Sequence, residues 1–427
     1  MMLLVYTPKI TPRITYIFKH ICTRIIGLQV DFTSKIENFV AHNGPKLSYG
    51  KQALGNEFFI KSSELLFQQG LADIEINVKP WEETKCFFST SDTSGLPFDI
   101  FAASFFMLSR YEEYQPHVKD VFGRFSSSES LAFKEGFLNQ PVVNIWAQKF
   151  LTKLKLRFPD IDRISSSFTT HNLILVSEAY KYKNKGLLRS VFGFFNDFFR
   201  FRFRSVFKRI KVVVFLKKDP YNTFDLIINA CKNNKTKLTV FFKLGNFSQL
   251  DLNISYLKNS HRSLIKSVAD YAQVGLQISN GALKDFIQLK KEKKRLEEII
   301  HRPLLETFNS HCILQLPEIL HDLVDIEVAN NYTMGYCDTI GFRAGTCTPF
   351  FFYDLDFEIQ TPLKIHSFSI CKDGLSEFEN DVILQKVSEI KDEIKKVNGT
   401  LLTVFNNEDF SVLEKNNIWR MLLKNNF

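Results

Sequence analysis

The sequence lacks the short motifs that would assign an activity on their own. It contains no H-E-x-x-H, P-loop, G-x-G-x-x-G or G-x-S-x-G pattern, and its nine histidines include no pair spaced for metal binding on one helix. No stretch of roughly 18 uncharged apolar residues is present, which argues against a membrane-spanning helix. The apolar run at the N-terminus is short and lacks a basic region, so we expect no signal peptide and a cytoplasmic protein.

Paired cysteines are missing as well. The seven cysteines are scattered and odd in number, and none forms a C-x-x-C pair. This pattern is typical of a cytosolic chain rather than of a disulfide framework. We therefore expect reduced thiols.

Phenylalanine and basic residues are what the sequence has in excess. There are 44 phenylalanines in 427 residues, but a bias toward A/T-rich codons would produce the same mixture, so the count suggests no function. The net charge of +9 is concentrated, because residues 187–218 hold nine Lys or Arg and one Asp, which makes +8. A charge confined to one segment does not favour a coat for nucleic acid, and we expect no nucleic-acid partner.

Hydrophobic periodicity divides the chain into two domains, as its length also suggests. Residues 1–165 read as a smaller α/β domain, with a helix capped by Thr11 and ended by Gly27 and another helix over residues 101–114. From residue 171 buried strands alternate with amphipathic helices. This alternation predicts parallel strands with helices outside, in a barrel or a doubly wound sheet.

Active sites of parallel α/β folds lie where the strands end. Glu178 and Glu408 follow two such strands and could form a carboxylate pair for acid–base work, or both could be solvated acids. His311 is either a metal ligand or a satisfied structural residue. Arg343 could hold a carboxylate or orient an acid, whereas Cys347 has no histidine nearby in the sequence and is interpreted as a buried structural thiol.

These strand ends, taken in order, resemble the polysaccharide deacetylase (NodB-homology) family, in particular a version in Bacteroidetes-type bacteria with an uncharacterised N-terminal domain. The likeness covers essentially the whole chain. In the first half it rests on segments that include Gly44-Pro-Lys-Leu-Ser-Tyr, Asp99-Ile-Phe-Ala-Ala-Ser-Phe and Ser109-Arg-Tyr-Glu-Glu-Tyr. In the second half it rests on Ala179-Tyr-Lys-Tyr-Lys, Lys218-Asp-Pro-Tyr, Asn331-Tyr-Thr-Met-Gly-Tyr and Gly341-Phe-Arg-Ala-Gly-Thr-Cys-Thr-Pro-Phe. The resemblance implies a distorted (β/α) barrel over residues 171–427, with a basic helical insertion at 187–218.

The family removes N-acetyl groups from sugar polymers with a divalent metal, usually zinc, and the resemblance implies where its site residues should lie. The Asp-x-Asp pair at the first strand end appears here as Leu175 and Ser177, and the histidine ligand of the next motif appears as Gln277. The Arg-x-His pattern appears as Asn309-Ser310-His311, and the final Trp-His-Asn-Glu as Phe405-Asn406-Asn407-Glu408. The residues that match the family are His311, Arg343, Asn407 and Glu408.

The replaced groups favour a catalytically degenerate protein. Zinc prefers deprotonated carboxylate and imidazole ligands, Leu175 cannot act as a base, and Asn406 cannot deliver a proton near neutral pH. We therefore expect no cofactor, a sugar polymer as ligand, and a binding or scaffold role in surface-polysaccharide assembly. The alternative is an active hydrolase with zinc at an altered site built from Glu178, His311, Arg343 and Glu408.

The basic segment 187–218 supports a third hypothesis, that of a module that docks on a membrane surface or a protein partner. Read as a helix, the segment has an apolar face that includes Phe198 and Phe199 and a basic line that includes Arg200, Arg204 and Lys208. A basic helix rich in aromatic residues can lie on an anionic bilayer, which would place the protein at the inner membrane surface. Amphipathic helices more commonly pack their apolar face on their own core, so exposure of the phenylalanines separates the two interpretations.

Overall fold

The computed structural model describes residues 2–161, 167–183, 195, 198–201, 203–214, 217–251, 254–411 and 417–424. The chain forms two compact units. The first comprises Met1–Thr169, Cys312–Glu377 and Ile383–Leu401, and the second comprises Thr170–His311, Phe378–Val382 and Leu402–Phe427. The sequence-derived domains, 1–165 and 171–427, stay a prediction. Among the described residues, no helix has the length and hydropathy that a membrane span requires.

Helices and strands alternate through most of the chain. The α-helices are α1 (Pro12–Phe18), α2 (Ile36–Ala41), α3 (Ile100–Leu108), α4 (Leu131–Lys134), α5 (Val142–Arg157), α6 (Phe203–Val213), α7 (Phe224–Asn234), α8 (Asn259–Ala269), α9 (Phe286–Ile300), α10 (Glu318–Asp325), α11 (Asn380–Lys396) and α12 (Ile418–Lys424). The strands are β1 (Met2–Tyr6), β2 (Gln29–Thr33), β3 (Lys46–Gly50), β4 (Phe58–Lys61), β5 (Lys79–Trp81), β6 (Thr84–Cys86), β7 (Thr169–Val176), β8 (Lys237–Lys243), β9 (Gln273–Ile278), β10 (Glu306–Asn309), β11 (Asn330–Met334), β12 (Phe350–Asp354), β13 (Ile359–Ser367), β14 (Ile370–Cys371) and β15 (Thr400–Asn406).

The N-terminal part of the first unit is built on a parallel sheet in the order β2-β1-β3-β4. Helix α1 follows β1, and Thr11 caps it by accepting the N–H of Ile14. The helix continues as a π-helical segment, Lys19–Ile26, which Gly27 ends with a φ of 85°. The predicted cap and glycine stop are confirmed, although the helix changes its hydrogen-bond pattern half-way.

The second half of the chain contributes to a nine-stranded sheet in the order β12-β13-β11-β10-β9-β8-β7-β15-β14. Strands β7, β8, β9 and β10 pair in parallel, as does β11 with β13, whereas β12 runs antiparallel to β13. The sheet is curled into an open half-barrel, and with the smaller N-terminal α/β region it confirms the predicted fold class. Neighbouring parallel strands therefore end at one edge, which is where Ser177 and Gln277 lie.

One predicted helix is wrong in its extent. The apolar pattern over residues 101–114 predicts a single helix, but α3 ends at Leu108 and Arg110 adopts a left-handed backbone with a φ of 54°. Residues Tyr111–Tyr114 then form a 3-10 turn. A continuous helix would point Arg110 elsewhere, and the contacts of its guanidinium, described below, account for the break.

The expectation of reduced thiols is wrong for two cysteines. Cys312 and Cys337 form a disulfide, with Cα atoms 6.5 Å apart. The Sγ of Cys371 lies 3.5 Å from that of Cys337, so three sulfur atoms are gathered in the first unit. The bonded pair is separated by 25 residues, and spacing of that kind gives no sign of pairing until the fold brings the two segments together.

Candidate functional site

At the edge where the parallel strands of the second unit end, two predicted site residues are in contact. Ser177 directly follows β7, and Gln277 lies near the end of β9. The Nε2 of Gln277 donates to the Oγ of Ser177 over 3.2 Å, although β8 lies between their strands in the sheet. Side chains of alternate strands meet in this way inside a curled sheet. Gln277 is buried, and its amide is used for holding Ser177.

A buried ion pair occupies the end of the intervening strand. Lys243 stands next to Gln277 in the pairing of β8 with β9, and its Nζ donates to Asp251 over 2.9 Å. Both side chains are almost fully buried. Burial alone would raise the pKa of Asp251, but the hydrogen bond and charge of Lys243, with the N–H of Asn280, lower it below its ordinary value. The protein thus carries its own fixed cation at this strand end.

A second buried carboxyl lies beside that pair. Glu292, on α9, accepts the hydroxyl of Ser279 over 2.5 Å and the N–H of the same residue over 3.1 Å. Burial raises the pKa of Glu292, since desolvation disfavours the charged form. Gly245 is required here, because a Cβ at that position would lie 2.5 Å from the Cβ of Ser279. Sequence reasoning did not single out this carboxyl.

The last strand presents Asn406, Asn407 and Glu408 at the same edge. Asn406 caps the following 3-10 turn, and Asn407 donates from Nδ2 to the carbonyl of Glu178 over 3.1 Å and to that of Tyr221 over 3.0 Å. Burial, followed by the charges of Glu408 and Glu178, raises the pKa of Tyr221 to about 12. The charges of the two carboxylates proposed from the sequence as a pair therefore both contribute to the raised pKa of one tyrosine.

Asp219 organises the loop that holds Tyr221. Its carboxylate accepts the backbone N–H groups of Lys181, Tyr182, Lys183 and Tyr221 over 2.8 to 3.0 Å. The two motifs Ala179-Tyr-Lys-Tyr-Lys and Lys218-Asp-Pro-Tyr are therefore the two sides of one hydrogen-bonded loop pair. The ammonium of Lys181 lies 5.3 Å from the centre of the Tyr221 ring.

The remaining family positions of the second unit differ in exposure. Leu175 is buried and pairs with Phe241 of β8, and Asn309 is buried at the end of β10. His311 is exposed and takes a left-handed backbone with a φ of 54°. It is not part of either group of His, Cys, Asp and Glu side chains that lie close enough to share an ion among the described residues. Its role as a ligand stays a prediction.

Those two groups lie in the first unit. One is Cys312, Cys337 and Cys371, of which two are joined as a disulfide. The other is His321, Asp354 and Asp356, in which the Nε2 of His321 lies 2.5 Å from an oxygen of Asp354. Asp354 also accepts two backbone N–H groups, which accounts for its position without an ion.

Arg343 lies in the first unit and holds a carboxylate there. Its guanidinium donates twice to Glu113, from Nε over 2.8 Å and from an Nη over 2.6 Å. The Nε of Arg110 donates to the same carboxylate over 2.7 Å, and its Nη1 donates to the carbonyl of Arg343. Burial alone would raise the pKa of Glu113, but the charges of Arg343 and Arg110 lower it to about 2. The motifs Ser109-Arg-Tyr-Glu-Glu-Tyr and Gly341-Phe-Arg-Ala-Gly are thus two halves of one buried ion cluster.

A polar cleft of about 170 Å³ lies beside this cluster, lined by residues that include Glu113, His117, Gln315 and Glu318. It falls entirely within the first unit. Sequence reasoning missed it, because the lining residues come from two segments almost 200 residues apart and no single stretch signals a cavity.

Comparisons with known proteins give one family match and a weak similarity to solved structures. Residues 3–159 match a family of unknown function, DUF7033. No curated protein matches the chain. Among solved structures the chain is similar to a putative polysaccharide deacetylase from Mycobacterium smegmatis, with 10% identity, a TM-score of 0.39, and coverage of 62% of this chain and 84% of that one. A CE4 family pseudoenzyme from Bacillus anthracis gives 10% identity, a TM-score of 0.31, and coverage of 61% and 59%. A polysaccharide deacetylase from Bacillus cereus gives 8% identity, a TM-score of 0.29, and coverage of 61% and 85%. At these scores the likeness is weak, and the interpretation of the site rests on the contacts described above.

Proposed function

We propose that this chain is a deacetylase-like protein without deacetylase activity that binds a sugar polymer and acts as a binding or scaffold protein in surface-polysaccharide assembly. The observation that carries the proposal is the hydrogen bond between Ser177 and Gln277. These residues stand where the resemblance expects a carboxylate and an imidazole. Here the two side chains satisfy each other, and neither is a favourable zinc ligand.

The neighbouring charges support the same conclusion. Lys243 is a buried cation beside Gln277, and a divalent ion close to it would meet electrostatic repulsion. Asp251, which could otherwise offer oxygen to a metal, is taken up by Lys243 and by the N–H of Asn280. Ligands and base are both replaced, so hydrolysis through metal-activated water has no support at this strand edge.

Sugar binding is supported by the groups around Tyr221. Its ring is half-buried, and the charges of Glu178 and Glu408 contribute to its raised pKa. Binding sites place aromatic side chains against the apolar parts of a ligand and a few polar groups that fix its orientation. Carboxylates accept hydrogen bonds from hydroxyl groups, so this arrangement fits a neutral, hydroxyl-rich ligand.

Two measurements on the purified full-length chain test the proposal. Incubation with N-acetylated oligosaccharides and added zinc is expected to release no acetate. Calorimetry with the same oligosaccharides is expected to detect binding, which Tyr221→Ala weakens at least tenfold, about 1.4 kcal/mol. Tyr271→Ala, an exposed tyrosine of the same unit, is the matched control and should leave affinity unchanged. Absence of binding to all oligosaccharides, with a folded protein, would remove the binding role.

One observation favours the second candidate, an active hydrolase with an altered site. The charges of Glu178 and Glu408 both contribute to the raised pKa of Tyr221, which makes the two carboxylates candidates for an acid and a base. That candidate predicts acetate release that depends on added metal and disappears in the double variant Glu178→Gln with Glu408→Gln. Such a result would replace the proposal of a degenerate site.

A further inference from the structure

Helix α6 exposes a line of large apolar side chains. Phe203, Phe207, Ile210 and Val214 are spaced at i, i+4, i+7 and i+11, which places them on one side of the helix. Their exposed fractions are 47%, 64%, 43% and 60%. Val214 continues the helical pattern, since its N–H donates to the carbonyl of Ile210 over 2.9 Å. We call these four residues the apolar line.

The helix packs on its own unit through different residues. Val206 and Val212 are only 7% and 3% exposed. Arg209 is half-buried, and its guanidinium lies 5.0 Å from the centre of the Tyr182 ring. The interpretation that the phenylalanines simply cover the barrel is therefore not supported for these residues. The helix has one side on the protein and a second apolar side in solvent.

Positive charge lies beside the apolar line. Lys208 and Lys211 are exposed on the helix. Just before it, Arg200 is exposed together with Phe198, Phe199 and Phe201. The side chain of Arg204 and the predicted face residues Val191 and Phe194 lie outside the described residues. The described basic side chains Arg200, Lys208 and Lys211 are thus exposed beside exposed apolar side chains, so this surface complements a partner that is apolar and negatively charged.

We propose that α6 and the exposed phenylalanines before it lie in the headgroup region of an anionic bilayer. A helix with aromatic residues on one side and lysines beside them can bury the apolar side at the boundary between headgroups and acyl chains, while the ammonium groups meet anionic lipid. Each basic residue near such a surface contributes to attraction that falls off within a Debye length. Nucleic acid would match the charge but leave the apolar line in water.

Vesicle flotation with the full-length chain tests this proposal. We expect binding to vesicles of phosphatidylglycerol and phosphatidylcholine at low salt, and at least tenfold weaker binding to phosphatidylcholine alone. Phe207→Ser with Ile210→Ser should reduce binding to anionic vesicles at least tenfold, and Lys208→Glu with Lys211→Glu should do the same.

Matched controls show whether a loss of vesicle binding is specific to the surface of α6 or follows from any similar change in apolar character or charge. Phe133→Ser changes another exposed phenylalanine, in the first unit, and Lys291→Glu with Lys294→Glu repeats the charge change at the same spacing on α9. Both controls should bind as wild type does. Phe207→Trp adds a reporter whose emission should shift to shorter wavelength on anionic vesicles.

Three results would overturn the proposal. The first is wild type that stays unbound on anionic vesicles at low salt. The second is a Phe207→Ser and Ile210→Ser variant that binds like wild type, since adsorption would then be electrostatic only. The third is a protein that self-associates through this face, detected as an oligomer by light scattering that the serine variant disperses, while vesicles bind no protein.

Discussion

Three ionised side chains of the first unit are buried almost completely: Arg110, Glu113 and Arg343. Removing charges from water is costly, and the cost is offset only when geometry and hydrogen bonding are good. Here a single carboxylate receives two guanidinium groups, and the second carboxylate of the turn, Glu112, accepts from an Nη of Arg110 over 2.6 Å. Glu113 is therefore the residue on which both arginines depend.

Replacing Glu113 by Gln should destabilise the protein strongly, by about 3 to 5 kcal/mol, because it removes the counter-charge of the buried Arg343 and one of the two carboxylates that pair with Arg110. Urea denaturation measures the effect, and Glu135→Gln, an exposed acid of the same unit, should change little. An unfolding free energy within about 1 kcal/mol of wild type would show that solvent reaches the arginines.

The lowered pKa of Glu113 predicts that the stability of the protein depends on pH. The pKa of Glu113 is about 2 in the folded protein against an ordinary 4.5. Its contribution is fully present above the unfolded value and is lost as pH falls from about 4.5 toward 2, because the unfolded chain binds the proton first. The unfolding free energy of wild type should decline through that window, and the decline should be shallower in Glu113→Gln.

At the scale of elements, sequence motifs are joined in pairs, and one acidic side chain forms each junction. Asp99 caps α3 through two N–H groups and also accepts the hydroxyl of Tyr49 over 2.7 Å, which joins two segments noted in the sequence. Asp219 joins two others. Each pair consists of one acidic residue and the backbone or side chain that it holds.

Replacing Asp219 by Asn should loosen the loop over residues 181–183 and 219–221. Four backbone N–H groups share the carboxylate, whereas an amide offers one acceptor oxygen and a donor that faces the wrong way. We expect a loss of about 1 to 3 kcal/mol and faster amide exchange at Lys181, Tyr182 and Lys183. Asp225→Asn, whose ion pair with Lys218 is exposed, is the control and should leave exchange in the loop unchanged.

Hydrophobic periodicity predicted helices and strands but not the side-chain contacts between them. The apolar stripe Ile383, Val387, Ile390 and Ile394 lies buried on α11, and buried strands alternate with helices after residue 171 as predicted. The contact of Ser177 with Gln277 follows from strand order, which the sequence resemblance supplied. The contact of Arg343 with Glu113 could not be predicted, because the two residues are 230 positions apart. Lys243 with Asp251 and Glu292 with Ser279 are only 8 and 13 positions apart, but nothing in the local sequence shows that these charged side chains are buried.

At the scale of the whole molecule, buried histidines occur in both units. Burial lowers the pKa of His20 to about 3, and that of His171 and His261 to about 4. These side chains stay neutral in the folded protein while the unfolded chain protonates them below about pH 6.5. Stability should therefore be level above that value and fall as pH drops from about 6.5 to about 4.

Replacing His20 by Leu isolates one of these contributions. Neither ring nitrogen of His20 has a partner among the described residues, so the change should cost little at pH 7. It should reduce the fall in unfolding free energy between pH 6.5 and 4. Denaturation curves across that range provide the measurement, with His42→Leu as a half-exposed control. An unchanged slope would mean that His20 is protonated in the folded protein.

The contact between Glu113 and Arg343 also sets the timing of folding during synthesis. The two residues are 230 positions apart, which at about 5 to 20 residues per second is roughly 10 to 50 s on the ribosome. Until then Glu113 lacks its bond to Arg343 and Arg110 can pair only with the neighbouring acids Glu112 and Glu113, and the first unit still lacks its segments from Cys312 onward. The N-terminal half of this protein therefore emerges first and completes its core late, so a nascent chain stalled near residue 300 should remain sensitive to protease throughout that half.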